Sequence, residues 1–232
     1  MRPSSEADFT FLSAAKSGPC DGAELYQNIP QFVYSLIVES SRMLLLRKPS
    51  DLQIRAFITA QQHSDFSYSP VGITRNAPVA GYTMDHNRVQ LGSGADCFDA
   101  AIAAIREWKM FDLGWVHLFS SETPIEKGAT VAVVINHLGF WSMNACRIAY
   151  VVEDHGRVER YGFAYGTFAE HAERGEERFT VEWNQDDDSV WYDILALSKP
   201  GPMARLGYPF TRRLQKRFAR DSKEAMKRAV DQ

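Results

Sequence analysis

The chain predicts an α+β domain, a curved antiparallel sheet of about seven strands wrapped around a long C-terminal helix, with an extra helical N-terminal arm. From Ala129 to Ser198 apolar residues alternate with a period of two, broken by short turns carrying Gly, Asn or Asp. That is the pattern of consecutive antiparallel strands. Beyond Pro200, Met203, Leu206, Phe210, Leu214 and Phe218 recur at helical spacing, a stripe able to cover one apolar sheet face. At 232 residues the chain can bury a core without disulfide or metal staples.

Residues 1–46 read as an arm and 47–232 as the domain. Turn signals at Gly18-Pro19 and Asp21-Gly22 punctuate the start, and Ile29–Lys48 has wide apolar helical faces until Pro49 ends it. That helix docks on its own domain, plugs a pocket or forms the seam of a homodimer. Ser50 and Gln53 match a capping box opening a short helix to about Gln62. His63–Val79 is loop-like, and Tyr82–Leu91 reads as the first strand. Ser93 or Asp96 can cap the next helix, whose Phe98, Ala101, Ile102, Ile105 and Trp108 form one buried stripe. Strands are then expected at 115–120, 129–138, 144–153, 158–167, 176–184 and 189–198. In the last helix Pro209 marks a kink or the true start.

Bulk properties narrow the partners. A net charge of −3 gives no bulk attraction to nucleic acid, and the basic face of the last helix carries few aromatics for base stacking. Three widely spaced cysteines, Cys20, Cys97 and Cys146, read as reduced thiols of a cytoplasmic protein. No signal peptide and no membrane span is expected, because the apolar run Phe32–Leu46 is broken by Glu39–Arg42.

Strand, helix, six strands and a long helix is the element order of the helix-grip fold, so the chain resembles the superfamily of the birch-pollen allergen, START domains and polyketide cyclases. Particular words carry a closer resemblance. They are Arg47-Lys48-Pro49-Ser50, Asp85-His86-Asn87-Arg88-Val89, Cys146-Arg147-Ile148-Ala149-Tyr150, Gly162–Thr167, Gly175-Glu176-Glu177-Arg178-Phe179, Trp191-Tyr192-Asp193-Ile194 and Leu206-Gly207-Tyr208-Pro209. From residue 47 to the end the chain resembles the bacterial and plant family called domain of unknown function DUF1990. Where that family has Gly before the histidine, this chain has Glu170. The resemblance implies the fold and no particular reaction.

Titratable groups concentrate in Gly162–Phe179, where His171, Glu173, Glu176 and Glu177 stand between two aromatic strands. Alternation places Glu177 on the apolar face of Phe179, Val181 and Trp183, with Glu176, Arg178, Thr180 and Glu182 pointing outward. A carboxyl facing an apolar interior has its pKa pushed up and can serve as a general acid, or else it sits at the solvated strand end bonded to a loop amide. His171 is its candidate catalytic companion, or a residue that ties the turn to the backbone. No metal is expected, since no ligand spacing such as HExxH occurs, and no cofactor fingerprint is present.

Tyr161, Phe163 and Tyr165 share one strand face, and Cys146, Ile148, Tyr150 and Val152 share another. Turned inward, Cys146, Tyr150, Tyr161, Phe163, Tyr165 and Trp183 would line a site for a small hydrophobic or amphipathic molecule; the alternative is a filled core. A binding protein is thus the leading reading. Its rivals are a cofactor-free cyclase, hydratase or hydrolase using His171 and Glu177, and a partner-binding scaffold using the first and last helices.

Overall fold

A computed structural model describes residues 45–137, 139–168, 173–200 and 208–231. The expected N-terminal helix with its homodimer seam, Met203, Leu206 and His171 all lie outside the described residues. Seven strands form one sheet: β1 (Thr83–Ser93), β2 (Val116–Phe119), β3 (Thr130–His137), β4 (Phe140–Asp154), β5 (Val158–Thr167), β6 (Glu173–Asn184) and β7 (Ser189–Pro200). Every neighbouring pair is antiparallel, in the order β1-β7-β6-β5-β4-β3-β2. Flat, such a sheet would be roughly 29 Å wide at the usual strand spacing. Residues of all seven strands nevertheless line one cavity, so the sheet curves around it. The fold is α+β, with the helix-grip arrangement of a curved sheet holding a C-terminal helix.

Three helices complete it: α1 (Asp51–Gln61), α2 (Gly94–Arg106) and α3 (Tyr208–Val230). The capping box at α1 is present in both halves, the Gln53 amide donating to Ser50 Oγ and the Ser50 amide to Gln53 Oε1. At α2 neither expected side-chain cap forms; Ser93 is the N-cap without a side-chain bond. Leu45 is not helical: its N–H and C=O pair with Trp141, along the stretch of β4 that extends past the end of β5. Pro209 stands in the first turn of α3, where its missing N–H costs nothing.

The concave face holds the main core. α2 packs there with Phe98, Ala101, Ile105 and, just beyond the helix, Trp108, whose ring meets Phe163 edge-on at 4.7 Å. α3 lies beside it through Leu214, Phe218, Ser222 and Met226, and Ser222 Oγ is 2.9 Å from the buried Tyr192 hydroxyl. Phe210, expected in that buried stripe, is 53% exposed at the cavity mouth.

The convex face is covered as well, which alternation within one strand cannot reveal. α1 packs Ile54 and Phe57 on Ala132, Val134, Met143 and Ala145 of β3 and β4. The segment after α1 crosses the rest of the face with Phe66, Tyr68 and Ile73. Arg147 fastens the junction by donating to the carbonyls of Gln61, Gln62 and Ser64. Gly166 makes room: a Cβ there would stand 2.1 Å from the Tyr68 hydroxyl.

Candidate functional site

Between the concave face and α3 lies a cavity of about 840 Å³. Its walls are apolar, from Phe111, Trp115, Val133 and Ile135 to Ile194, Leu214 and Phe218. Glu177 of β6 is a half-buried lining residue, and the neighbouring β5 sets Tyr165 opposite it in register. The Tyr165 hydroxyl donates to Glu177 Oε2 at 3.0 Å. Burial pushes the Glu177 carboxyl up to about 7; the Tyr165 bond pulls the other way, while Glu173 and Asp85 add to the rise. A carboxyl in that range exists in both protonation states near neutral pH and can donate, accept or exchange a proton.

Two further carboxyl groups stand on the same wall. Glu173, also raised by burial, takes both its oxygens to Gln215 Nε2 at 2.5 and 2.6 Å. Asp85 of β1 holds Arg212 through both guanidinium nitrogens. These contacts clamp the first turns of α3 over the cavity. Part of the basic face of α3 is engaged within the chain as well: Arg217 and Arg220 pair with Asp221, Lys227 pairs with Glu224, and Arg217 lies over the Trp115 ring.

The other expected site residues are placed as follows. Cys146 lines the cavity as a buried thiol with its pKa pushed far up by burial, hence a poor nucleophile. Tyr161, Phe163 and Trp183 face inward but are covered by α2: Arg106 donates to the Tyr161 hydroxyl, Trp108 covers Phe163, and Phe98 packs on Trp183. They are core, not cavity wall. Tyr150 is on the opposite face. A register shift between Ile148 and Tyr150 adds one residue to β4, and an extra residue flips the side chains beyond it. Its hydroxyl pairs with Thr74 Oγ1 at 2.7 Å and its ring lies under Arg75.

Glu176 was expected only to point outward, and its surroundings there are specific. It points away from the cavity, as alternation requires, but is only 3% exposed. Tyr68 Oη, the Gly72 and Thr74 amides and Thr74 Oγ1 all donate to it, at 2.5–3.0 Å. Its partners stand about a hundred residues earlier in the chain, so no local pattern announces them. Ser142, His137 and Asn144 also line the cavity; Ser142 fell in an expected turn because β4 starts at Phe140 and not at residue 144, while His137 and Asn144 lay in expected strands without being singled out. The signal was Gly139, a residue free to adopt the φ of 102° it has just before β4 begins at Phe140.

Among the described residues no group of three or more His, Cys, Asp or Glu is placed to hold a metal ion, and no helix is long and apolar enough to cross a membrane.

The model of the family described as "Domain of unknown function (DUF1990)" matches residues 67–225. The chain is 36% identical over 208 residues to a UPF0548 protein of Dictyostelium discoideum, covering 81% of this chain and 96% of that protein. It is 33% identical over 201 residues to a UPF0548 protein of Deinococcus radiodurans, covering 81% and 99%. Among solved structures, Ara h 8.0201 superposes with a TM-score of 0.41 at 9% identity, covering 63% of this chain and 98% of that one. A norcoclaurine synthase of Thalictrum flavum does so with a TM-score of 0.40 at 12% identity, covering 64% and 94%.

Proposed function

This chain belongs to the family described as domain of unknown function (DUF1990), and we propose that it binds a small hydrophobic or amphipathic molecule between the sheet and α3. The observation that carries this reading is the Glu177–Tyr165 pair in the wall of a mainly apolar cavity of about 840 Å³. An apolar pocket with a few convergent polar groups is the usual form of a small-molecule site. Protonated Glu177 accepts from Tyr165 on one oxygen and keeps its own O–H for a ligand.

The test is mass spectrometry of the purified chain under native and denaturing conditions, with an organic extract beside it. A stoichiometric extra mass that passes into the solvent is expected. Ala196→Phe, which fills the cavity from β7, should abolish it while the chain stays folded. A bare native mass, or an extra mass that survives Ala196→Phe, overturns the reading.

A second reading is favoured by one observation, the Glu177 carboxyl poised at about 7. It makes the protein a cofactor-free cyclase, hydratase or hydrolase with Glu177 as general acid or base. General acid–base catalysis contributes roughly 10²–10⁴-fold. On a turned-over substrate, Glu177→Gln should lower kcat by about that factor and remove the limb of the pH–rate profile near 7. Unchanged turnover removes this reading.

A further inference from the structure

At the mouth of the cavity β3 and β4 close in a tight hairpin that sets Ile135 opposite Ser142 and Val133 opposite Asn144. His137, Ser142 and Asn144 all line the cavity, and the exposed rings of Phe140 and Phe210 flank them. Ser142 Oγ stands 2.8 Å from His137 Nε2 and 3.3 Å from Asn144 Nδ2. Asn144 Nδ2 also reaches the Val133 carbonyl at 3.4 Å; a carbonyl only accepts, so this atom is the amide nitrogen and it donates to Ser142 as well.

The histidine tautomer follows from what its other nitrogen lacks. His137 Nδ1 is buried and has no hydrogen-bond partner among the described residues, and burial holds the ring below the usual histidine range, hence neutral. A neutral imidazole has one N–H. On Nδ1 that proton would be a stranded buried donor, and orphaned N–H groups are rarer in folded proteins than under-used acceptors. On Nε2 it is satisfied by Ser142. Ser142 Oγ therefore accepts from His137 and from Asn144, which occupies both its lone pairs. Its own O–H finds no acceptor among the described residues.

We propose that Ser142 is a fixed hydrogen-bond donor at the cavity mouth, held by His137 and Asn144, and that the natural ligand carries an acceptor oxygen, such as a carbonyl, at that end. The apolar body of the ligand then runs inward toward Glu177. The proposal deepens the binding reading and rests on it. The same geometry argues against a nucleophilic serine: a base at His137 would need its proton on Nδ1, and two donors aimed at Oγ withdraw its electrons from attack.

Two matched probes test it on the full chain, pentylbenzene and valerophenone, which differ by a CH₂ against a C=O. Dissociation constants come from ligand-observed NMR titration. Ser142→Ala should weaken valerophenone about fivefold to tenfold, the worth of one hydrogen bond, and leave pentylbenzene within about twofold of wild type. The pentylbenzene value also reports that the variant is folded. Equal effects on the two probes, or none on valerophenone, overturn the donor role while the cavity reading stands. Binding of neither probe to wild type overturns both. An acyl adduct on Ser142 after treatment with p-nitrophenyl butyrate overturns the donor role in favour of a nucleophile.

Discussion

Glu176→Gln, almost isosteric, is expected to destabilise the fold by about 3–5 kcal/mol, because the carboxylate it removes accepts from four donors in a buried place. Oε2 takes Tyr68 and the Gly72 amide, and Oε1 takes the Thr74 amide and hydroxyl. An amide has one acceptor oxygen, so whichever way Gln turns, its NH₂ faces a buried backbone amide that can only donate and a hydroxyl that must reverse to accept. Thr74 also ties Glu176 to Tyr150, so the change loosens the segment from Phe66 to Asn76 along the convex face of β4–β7. Urea unfolding followed by circular dichroism gives the loss as a lower midpoint. Hydrogen exchange should find the Gly72 and Thr74 amides among those that lose protection. A midpoint within the spread of a neutral surface substitution would show that the convex anchor is not held by this carboxylate.

What was legible in the sequence is what alternation and helical spacing encode. The apolar period placed all seven strands, and counting by twos from Phe179 put Glu177 on the inner face, where it stands. Two kinds of information were not in that pattern. A bulge is one: the shift between Ile148 and Tyr150 moves Tyr150 to the convex face although its spacing from Cys146 promised the concave one. Cover from distant segments is the other. Tyr161, Phe163 and Trp183 face inward as counted, yet α2 packs over them and leaves the cavity to Tyr165 and Cys146. Glu176 faces outward as counted, yet Tyr68 and Thr74 bury it. Strand parity says which side a residue is on; tertiary packing decides whether that side is cavity, core or water.

The same substitution one residue further along should have the opposite sign. Glu177→Gln is expected to stabilise the protein at pH 8 by up to about 3 kcal/mol, the worth of a carboxyl raised from 4.5 to about 7 at about 1.4 kcal/mol per unit. A carboxyl whose folded pKa lies above its unfolded one is favourable to folding while it is neutral. Its contribution is fully present below pH 4.5, is lost as pH rises toward 7, and is gone above that, because ionisation then works against a desolvated site with no cation paired to it among the described residues. Gln stays neutral throughout and its oxygen still accepts from Tyr165. The stability difference between variant and wild type should therefore be near zero at pH 4.5, open between 4.5 and 7, and hold constant at higher pH. Denaturant midpoints at pH 4.5, 6, 7 and 8 trace that curve, and a difference independent of pH would mean that Glu177 ionises as it does in water. Glu176 and Glu177 are neighbours in one strand, and the pleat sends one to a nest of donors and the other to an apolar hollow. The first position meets a carboxyl with four donors and the second penalises a charge, so one substitution chemistry at adjacent residues reads out the two faces of the sheet separately.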